Sequence, residues 1–289
     1  MSATGVPAAA SIRKPPGLAR VLRRTPARIG LANTVVFLIL VIAAPLVAPY
    51  DPYVQDLSSA LSPPSADHWF GADQYGRDMF SRVLYGTRTA LLAVVVADGL
   101  ALLLGCTMGL VAGFFGGRTD SAIMRLVDVL LAFPYLLLAL IIVAALGPGL
   151  THSMIAIGIV YTPQYARLIR GQVLAVRQAD YVRAARALGA WRVRIMLRHV
   201  LPNSFTPILV MATLQAGSVI VETAGLSFLG LGAQPPSPDW GALLADGQSY
   251  FLTAWWIATF PGLAIFVVVL GFNLLGDALR DHFDPRRRA

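Results

Sequence analysis

Charge is what this chain of 289 residues has least of: 13% of it is Asp, Glu, Lys or Arg, while 56% is hydrophobic. A soluble domain carries about 25% charged residues, so there is too little charge here to clothe a water-facing surface. Soluble globular and disordered chains are excluded. Lysine is reduced to Lys14 and glutamate to Glu222. Because the lysine sits in Arg13-Lys14-Pro15, no G-x-x-x-x-G-K-[ST] phosphate loop exists, and the chain has no P-loop of its own for ATP. Cys106 stands alone, which excludes a disulfide framework and a cysteine-based metal site. No H-E-x-x-H or G-x-S-x-G occurs, and His68, His152, His199 and His282 are scattered. The expectation is a chain that is not an enzyme and holds no cofactor or metal.

The few charges are segregated. None falls between Arg28 and Asp51, from 99 to 117, from 129 to 166, or from 247 to 276, and Glu222 is alone between His199 and Pro238. A helix needs about 20 apolar residues to cross about 30 Å of hydrocarbon, and these gaps reach that length. The chain therefore reads as an all-α polytopic membrane protein. Six transmembrane helices are expected, at about 29–48, 89–114, 124–146, 152–174, 204–226 and 254–277. Gly116-Gly117 stops the second, and Gly147-Pro148-Gly149 separates the third from the fourth.

Six spans put both termini on one side, and the arginines say which. One set of loops and ends holds 20 basic residues, the other only Arg77, Arg82 and Arg88. By the positive-inside rule the N and C termini are expected in the cytoplasm. The Pro-rich, basic stretch 1–28 reads as a disordered tail lying against anionic lipid, with the transmembrane domain over 29–289. The first apolar run ends Ala48-Pro49, an awkward cleavage context, so it is expected to remain as a span.

The segment 167–198 carries eight arginines, and the longest inner loop, 175–203, which overlaps it, has a definite order of small residues. Val182, Ala185 and Leu188 recur at helical spacing, Trp191, Ile195 and Leu197 supply apolar groups to a second helical piece, and Gly189 lies between. Asp180 is placed to cap the first piece and Pro202 to end the segment. A basic amphipathic helix on the inner leaflet explains the charge. It leaves the order Ala184-Ala185, Gly189, Leu201-Pro202 unexplained.

That order resembles the E-A-A-x3-G-x9-I-x-L-P loop of ATP-binding-cassette importer permeases. Asp67-His68-Trp69-Phe70-Gly71-Ala72-Asp73 with Gly76-Arg77-Asp78, Leu226-Ser227-Phe228-Leu229-Gly230-Leu231-Gly232 with Pro235-Pro236 and Trp240-Gly241, and Asn273-Leu274-Leu275-Gly276-Asp277 with Asp284-Pro285-Arg286 are similar to the dipeptide/oligopeptide/nickel permeases of the DppC/OppC type. The resemblance covers nearly everything beyond residue 29 and implies a type I ABC importer permease fold, with the conserved region at about 87–277. It also implies the partners: a homologous permease subunit of the DppB/OppB type, one or two cytoplasmic ATP-binding subunits, an extracytoplasmic substrate-binding protein and membrane lipid, with no nucleic acid. On it, Arg183, Ala184, Ala185, Gly189, Trp191, Arg192, Arg194, Leu201 and Pro202 form the coupling loop that docks on an ATPase subunit. Two positions depart from the pattern: Arg183 stands for the glutamate, and His199 for the isoleucine, with Val200 apolar beside it. Peptides are the favoured solute, with nickel or another chelated solute as the alternative.

Two acids fall inside spans, where a charge costs about 2.5–3.5 kcal/mol on insertion scales. Asp98 and Glu222 read as translocation-path or subunit-contact residues, or as internally paired ones. Asp128 reads as the i,i+3 partner of Arg125. Segment 71–88 alternates charged and apolar residues, as a short amphipathic helix at the outer interface does. The outer loop 227–253 with the Trp255-Trp256 pair reads as an outer gate or as interface anchoring. An ion-coupled secondary transporter would want more midplane ionisable groups and an inverted repeat, and neither is visible.

Overall fold

The computed structural model describes residues 25–283, and its regular elements are helices. In chain order these are α1 (Thr25–Val47), α2 (Met79–Ala93), α3 (Gly99–Phe115), α4 (Gly117–Leu131), α5 (Tyr135–Leu146), α6 (Leu150–Val176), α7 (Asp180–Ala187), α8 (Arg192–Ile195), α9 (Thr206–Phe228), α10 (Trp240–Gln248) and α11 (Trp256–Phe283). A π-helical turn over Val94–Asp98 joins α2 to α3 without a break. By length and composition four helices can cross a membrane, namely Thr25–Val47, Met79–Phe115, Thr206–Phe228 and Trp256–Phe283, or five if α4 and α5 are one broken span. α6 has 27 residues, but it carries Arg167 and Arg170, and its thirteen buried residues are more than any other helix has.

The centre of the molecule is the α3–α6 seam. Ala97, Ala101, Gly105, Gly109 and Gly113 repeat every fourth residue and are buried along one face. A Cβ at Gly109 would lie 2.4 Å from the Ala166 carbonyl oxygen, and one at Gly105 2.4 Å from Tyr165 Cβ. Small residues at this spacing let backbones meet, which is how helices associate where lipid removes the usual hydrophobic drive. Around this seam Tyr165, Ile169 and Val173 join residues from α5, α9 and the inner loop in one apolar cluster. A second cluster unites α1, α2, α10 and α11 around Phe37, Met79, Trp240 and Ile257.

Several expectations are corrected. The third span is two helices bent by 92°, because Pro134, inside the uncharged run, ends the helical hydrogen bonding and starts α5 afresh. The basic tail lies outside the described residues through 24, and residues 25–28 are the first turn of α1. Segment 71–88 is no exposed interfacial helix. Residues 71–78 fold as a tight, turn-rich knot with an isolated bridge between Ala72 and Asp78, and the helix starts at Met79.

The charges of that knot face inward. Asp73 accepts from Arg77 Nε at 2.6 Å, and Arg82 Nε lies 3.6 Å from the same carboxylate, all three side chains being nearly inaccessible. Asp78 caps α2 by accepting from Ser81 N at 2.8 Å and contacts His68 Nδ1 at 2.9 Å. Arg82 also donates to the Pro52 carbonyl at 3.0 Å. Two tryptophans at helix starts tie α10 and α11 to this region: Trp256 Nε1 donates to the Ala72 carbonyl of the knot at 3.0 Å, and Trp240 Nε1 to that of Val83 in α2 at 2.9 Å. Trp240 and Trp256 are therefore buried pegs and not membrane-interface anchors. Burial pushes the Asp239 and Asp246 carboxyls of this outer cap above the usual carboxylate range.

Candidate functional site

The inner loop hangs from three apolar anchors. Val182, Ile195 and Val200 are buried in the α3–α6 cluster, one from α7, one from α8 and one from the π-helical turn Met196–Val200. Between the two helical pieces Gly189 takes φ +77°, a conformation that a side chain disfavours, and Ala190 N closes back on the Ala185 carbonyl at 3.1 Å. Asp180 is the first helical residue, not the cap; Ala179 occupies the cap position, so Asp180 acts only through the helix dipole and a loose 3.9 Å approach to Arg183. Leu201 packs against the apolar cluster, and Pro202 opens the short turn Pro202–Ser204 that leads into α9.

What the anchors leave outside is apolar and basic. Leu188 is 88% exposed and Trp191 83%, with Tyr181, Val193 and Leu197 also exposed. Arg183, Ala184, Arg192 and Arg194 are exposed beside them. Arg183, Arg186, Gly189 and Arg192 line a cleft of about 650 Å³ whose inner wall is Phe114, Arg177 and Ile195. Arg177 caps α3 by donating to the Gly113 and Phe114 carbonyls at 3.1 and 3.0 Å. Such a surface fits an acidic or carbonyl-rich protein cleft with an apolar floor.

The two span carboxylates are held by neighbouring tyrosines of α6, which sequence reasoning missed. Tyr165 donates to Asp98 at 2.6 Å, and Tyr161, one turn earlier, donates to Glu222 at 2.5 Å. The π-helical turn places Asp98 against α6, where it is 6% exposed. Glu222 is only partly covered, and Ser218, one turn below it on α9, is exposed. The structure thus separates the pair that the sequence grouped: Asp98 is an internal clasp between spans, and Glu222 sits on an open face. Asp128 pairs with Arg167 at 2.6 Å and not with Arg125, and Asp120 meets Arg170 through two bonds of 2.5 and 2.7 Å, so α4 is pinned to α6 at two points. Among the described residues no three His, Cys, Asp or Glu side chains are grouped to hold a metal ion.

Similarity to known proteins agrees with this arrangement. The family described as "Binding-protein-dependent transport system inner membrane component" matches residues 105–289, and the "N-terminal TM domain of oligopeptide transport permease C" matches 18–64. The chain is 48% identical over 252 residues to a probable D,D-dipeptide transport system permease protein of Escherichia coli, covering 87% of this chain and 85% of that one. It is 46% identical to the dipeptide transport system permease protein of Alkalihalophilus pseudofirmus, covering 90% and 86%, and 47% identical to a glutathione transport system permease protein of Pectobacterium atrosepticum, covering 78% and 75%. In fold it is similar to a chain of the inward-facing MetNI methionine ABC transporter, with a TM-score of 0.58 at 15% identity over 71% of this chain and 98% of that one. A family match over more than half the chain and relatives near half identity leave one conclusion: this chain belongs to the inner-membrane components of binding-protein-dependent transport systems, as a multi-pass permease.

Proposed function

We propose that the chain is the permease subunit of an ATP-driven importer that carries di- and oligopeptides, forming the path with a homologous second permease. The names of the similar proteins support the solute class. The observation that carries the mechanism is the inner loop: rigidly anchored by Val182, Ile195 and Val200, yet with Leu188, Trp191 and its arginines turned outward. Arg183, Ala184, Ala185, Gly189, Trp191, Arg192, Arg194, Leu201 and Pro202, within the loop 175–203, form the coupling segment seated on a cytoplasmic ATPase. Both termini lie in the cytoplasm, six crossings counting α6 and the broken α4–α5 span, and the transport module runs over about 87–277.

In this reading ATP hydrolysis belongs to the partner subunits. Closure of the two ATPases moves the anchored loop as a lever, and because α3 and α6 meet backbone to backbone, the motion passes to the spans without loss in soft side chains. A binding protein on the outer cap delivers the solute into the opened cavity. Co-purification tests the assembly: two P-loop ATPases and a second permease should accompany the tagged chain, whereas a functional homo-oligomer alone refutes the importer.

A further inference from the structure

A polar line runs down the contact between α6 and α9. On α6, Tyr161, Gln164, Leu168 and Gln172 step by three or four residues and so share one face; on α9, Glu222, Ser218, Gln215 and Met211 do the same. Residues of rising number on α6 meet residues of falling number on α9. Tyr161 bonds Glu222 at 2.5 Å and Ser218, and the Gln215 Nε2 donates to Gln164 Oε1 at 3.2 Å. Below them Leu168 and Met211 lead into an open cavity of about 800 Å³, whose polar wall is Gln172, Asn203, Thr206 and Arg280.

Besides a subunit contact, which the thiol test separates from a wetted path by its slow labelling, three environments are open to such a face. Lipid is the wrong one, because carboxylates and carboxamides in hydrocarbon are expensive. A self-satisfied interior is the place of Asp98, whose tyrosine partner is fully buried; Gln215 is covered behind Gln164, whereas Gln164 and Glu222 are partly exposed and Ser218 is exposed. Each carboxamide has capacity for about four hydrogen bonds, and the shared bond uses one on each side. A wetted path leaves the remaining donors and acceptors with partners, and the line already opens into a cavity at its inner end. The line carries one carboxylate and no cation until Arg280. Along α9, Glu222 and Gln215 are about 10 Å apart at about 1.5 Å per residue, the length of an extended peptide of about three residues.

We propose that this stripe is the wall this chain gives to the solute path, that Glu222 receives the ammonium end of a peptide, and that Gln164, held in place by the buried Gln215, receives its amide groups. The inference rests on the peptide-importer reading. Its test uses the whole complex, with binding protein and ATPases, in proteoliposomes. On a Cys106→Ser background, Ser218→Cys and Gln164→Cys should react with a hydrophilic thiol reagent many times faster than Ile42→Cys on the exposed face of α1; equal rates overturn the path. Glu222→Gln should lower peptide uptake per ATP hydrolysed about tenfold, the loss of one charge-assisted hydrogen bond, while binding-protein-stimulated hydrolysis persists; unchanged uptake, or equal loss of uptake and hydrolysis, overturns the substrate role. Wild-type complex that takes up no peptide sinks the peptide reading alone, because thiol labelling still decides whether the stripe is a path.

Discussion

The two ends of this permease use the same residue types for opposite ends. At the outer end Asp73, Arg77, Arg82 and Asp78 are buried and bonded to one another or to backbone within the chain, and Trp240 and Trp256 are pegs with their indole N–H groups satisfied. At the inner end Arg183, Arg192 and Arg194 stand in solvent, and Trp191 presents its ring outward. Arginine and tryptophan are thus spent on self-assembly in one place and left unspent in the other. This contrast separates a structural cap from the face proposed for docking more clearly than charge count does.

The contrast can be broken most severely at the cap. Arg77→Ala leaves the Asp73 carboxylate buried beside a single guanidinium 3.6 Å away, and breaking a buried pair costs about 3–5 kcal/mol. Thermal unfolding in detergent should show a large fall in midpoint and in recovered protein. If Arg77→Ala melts like the wild type, the cap is not the fixed body described here.

The inner face should respond in the reverse sense. Leu188→Ala with Trp191→Ala removes groups that touch mostly solvent, so stability should stay within about 0.5 kcal/mol. Substrate-stimulated ATP hydrolysis by the assembled complex should nonetheless fall to the basal rate, as it should on deletion of 183–198. A variant pair that destabilises the chain but leaves stimulation intact would erase the distinction between the two ends.

The sequence made the spans legible because uncharged length is a one-dimensional property: the helices Thr25–Val47, Thr206–Phe228 and Trp256–Phe283 begin within about four residues of expectation. The loop was legible because Gly189 and its flanking apolar spacing are local. What stayed hidden was partnership across the fold. Asp128 had Arg125 nearby in sequence, yet its partner is Arg167, 39 residues on. Tyr161 and Tyr165 carry no local signal of their role, because their carboxylates arrive from the turn between α2 and α3 and from α9. The knot at 71–78 misled because alternating charge suggests a wet surface, although Asp73 and Arg77 at i,i+4 were available as a pair. Pro134 is equally local, but the expected span at about 124–146 runs across it because the apolar run there is unbroken by charge.

The smallest effect concerns Arg183, where similar permeases suggest a glutamate. Its side chain is 69% exposed and lies 3.9 Å from an exposed Asp180, a pair whose worth in water is slight. Arg183→Glu sets two carboxylates at i,i+3, which destabilises an isolated helix by about 0.2–0.5 kcal/mol, while a negative charge in the first turn of α7 is favoured by the helix dipole. The two terms nearly cancel, so the unfolding midpoint should not move measurably. The docking consequence does not cancel: Arg177, Arg183, Arg186 and Arg192 line one cleft, and reversing one of these four charges weakens its match to an acidic surface on the ATPase. Coupling of hydrolysis to transport should therefore fall a few-fold with the native ATPase. Recovery on introducing a basic residue opposite it would identify the facing position, whereas improved coupling from Arg183→Glu alone would mean that the cleft awaits a cation and that the basic inner face has been read with the wrong sign.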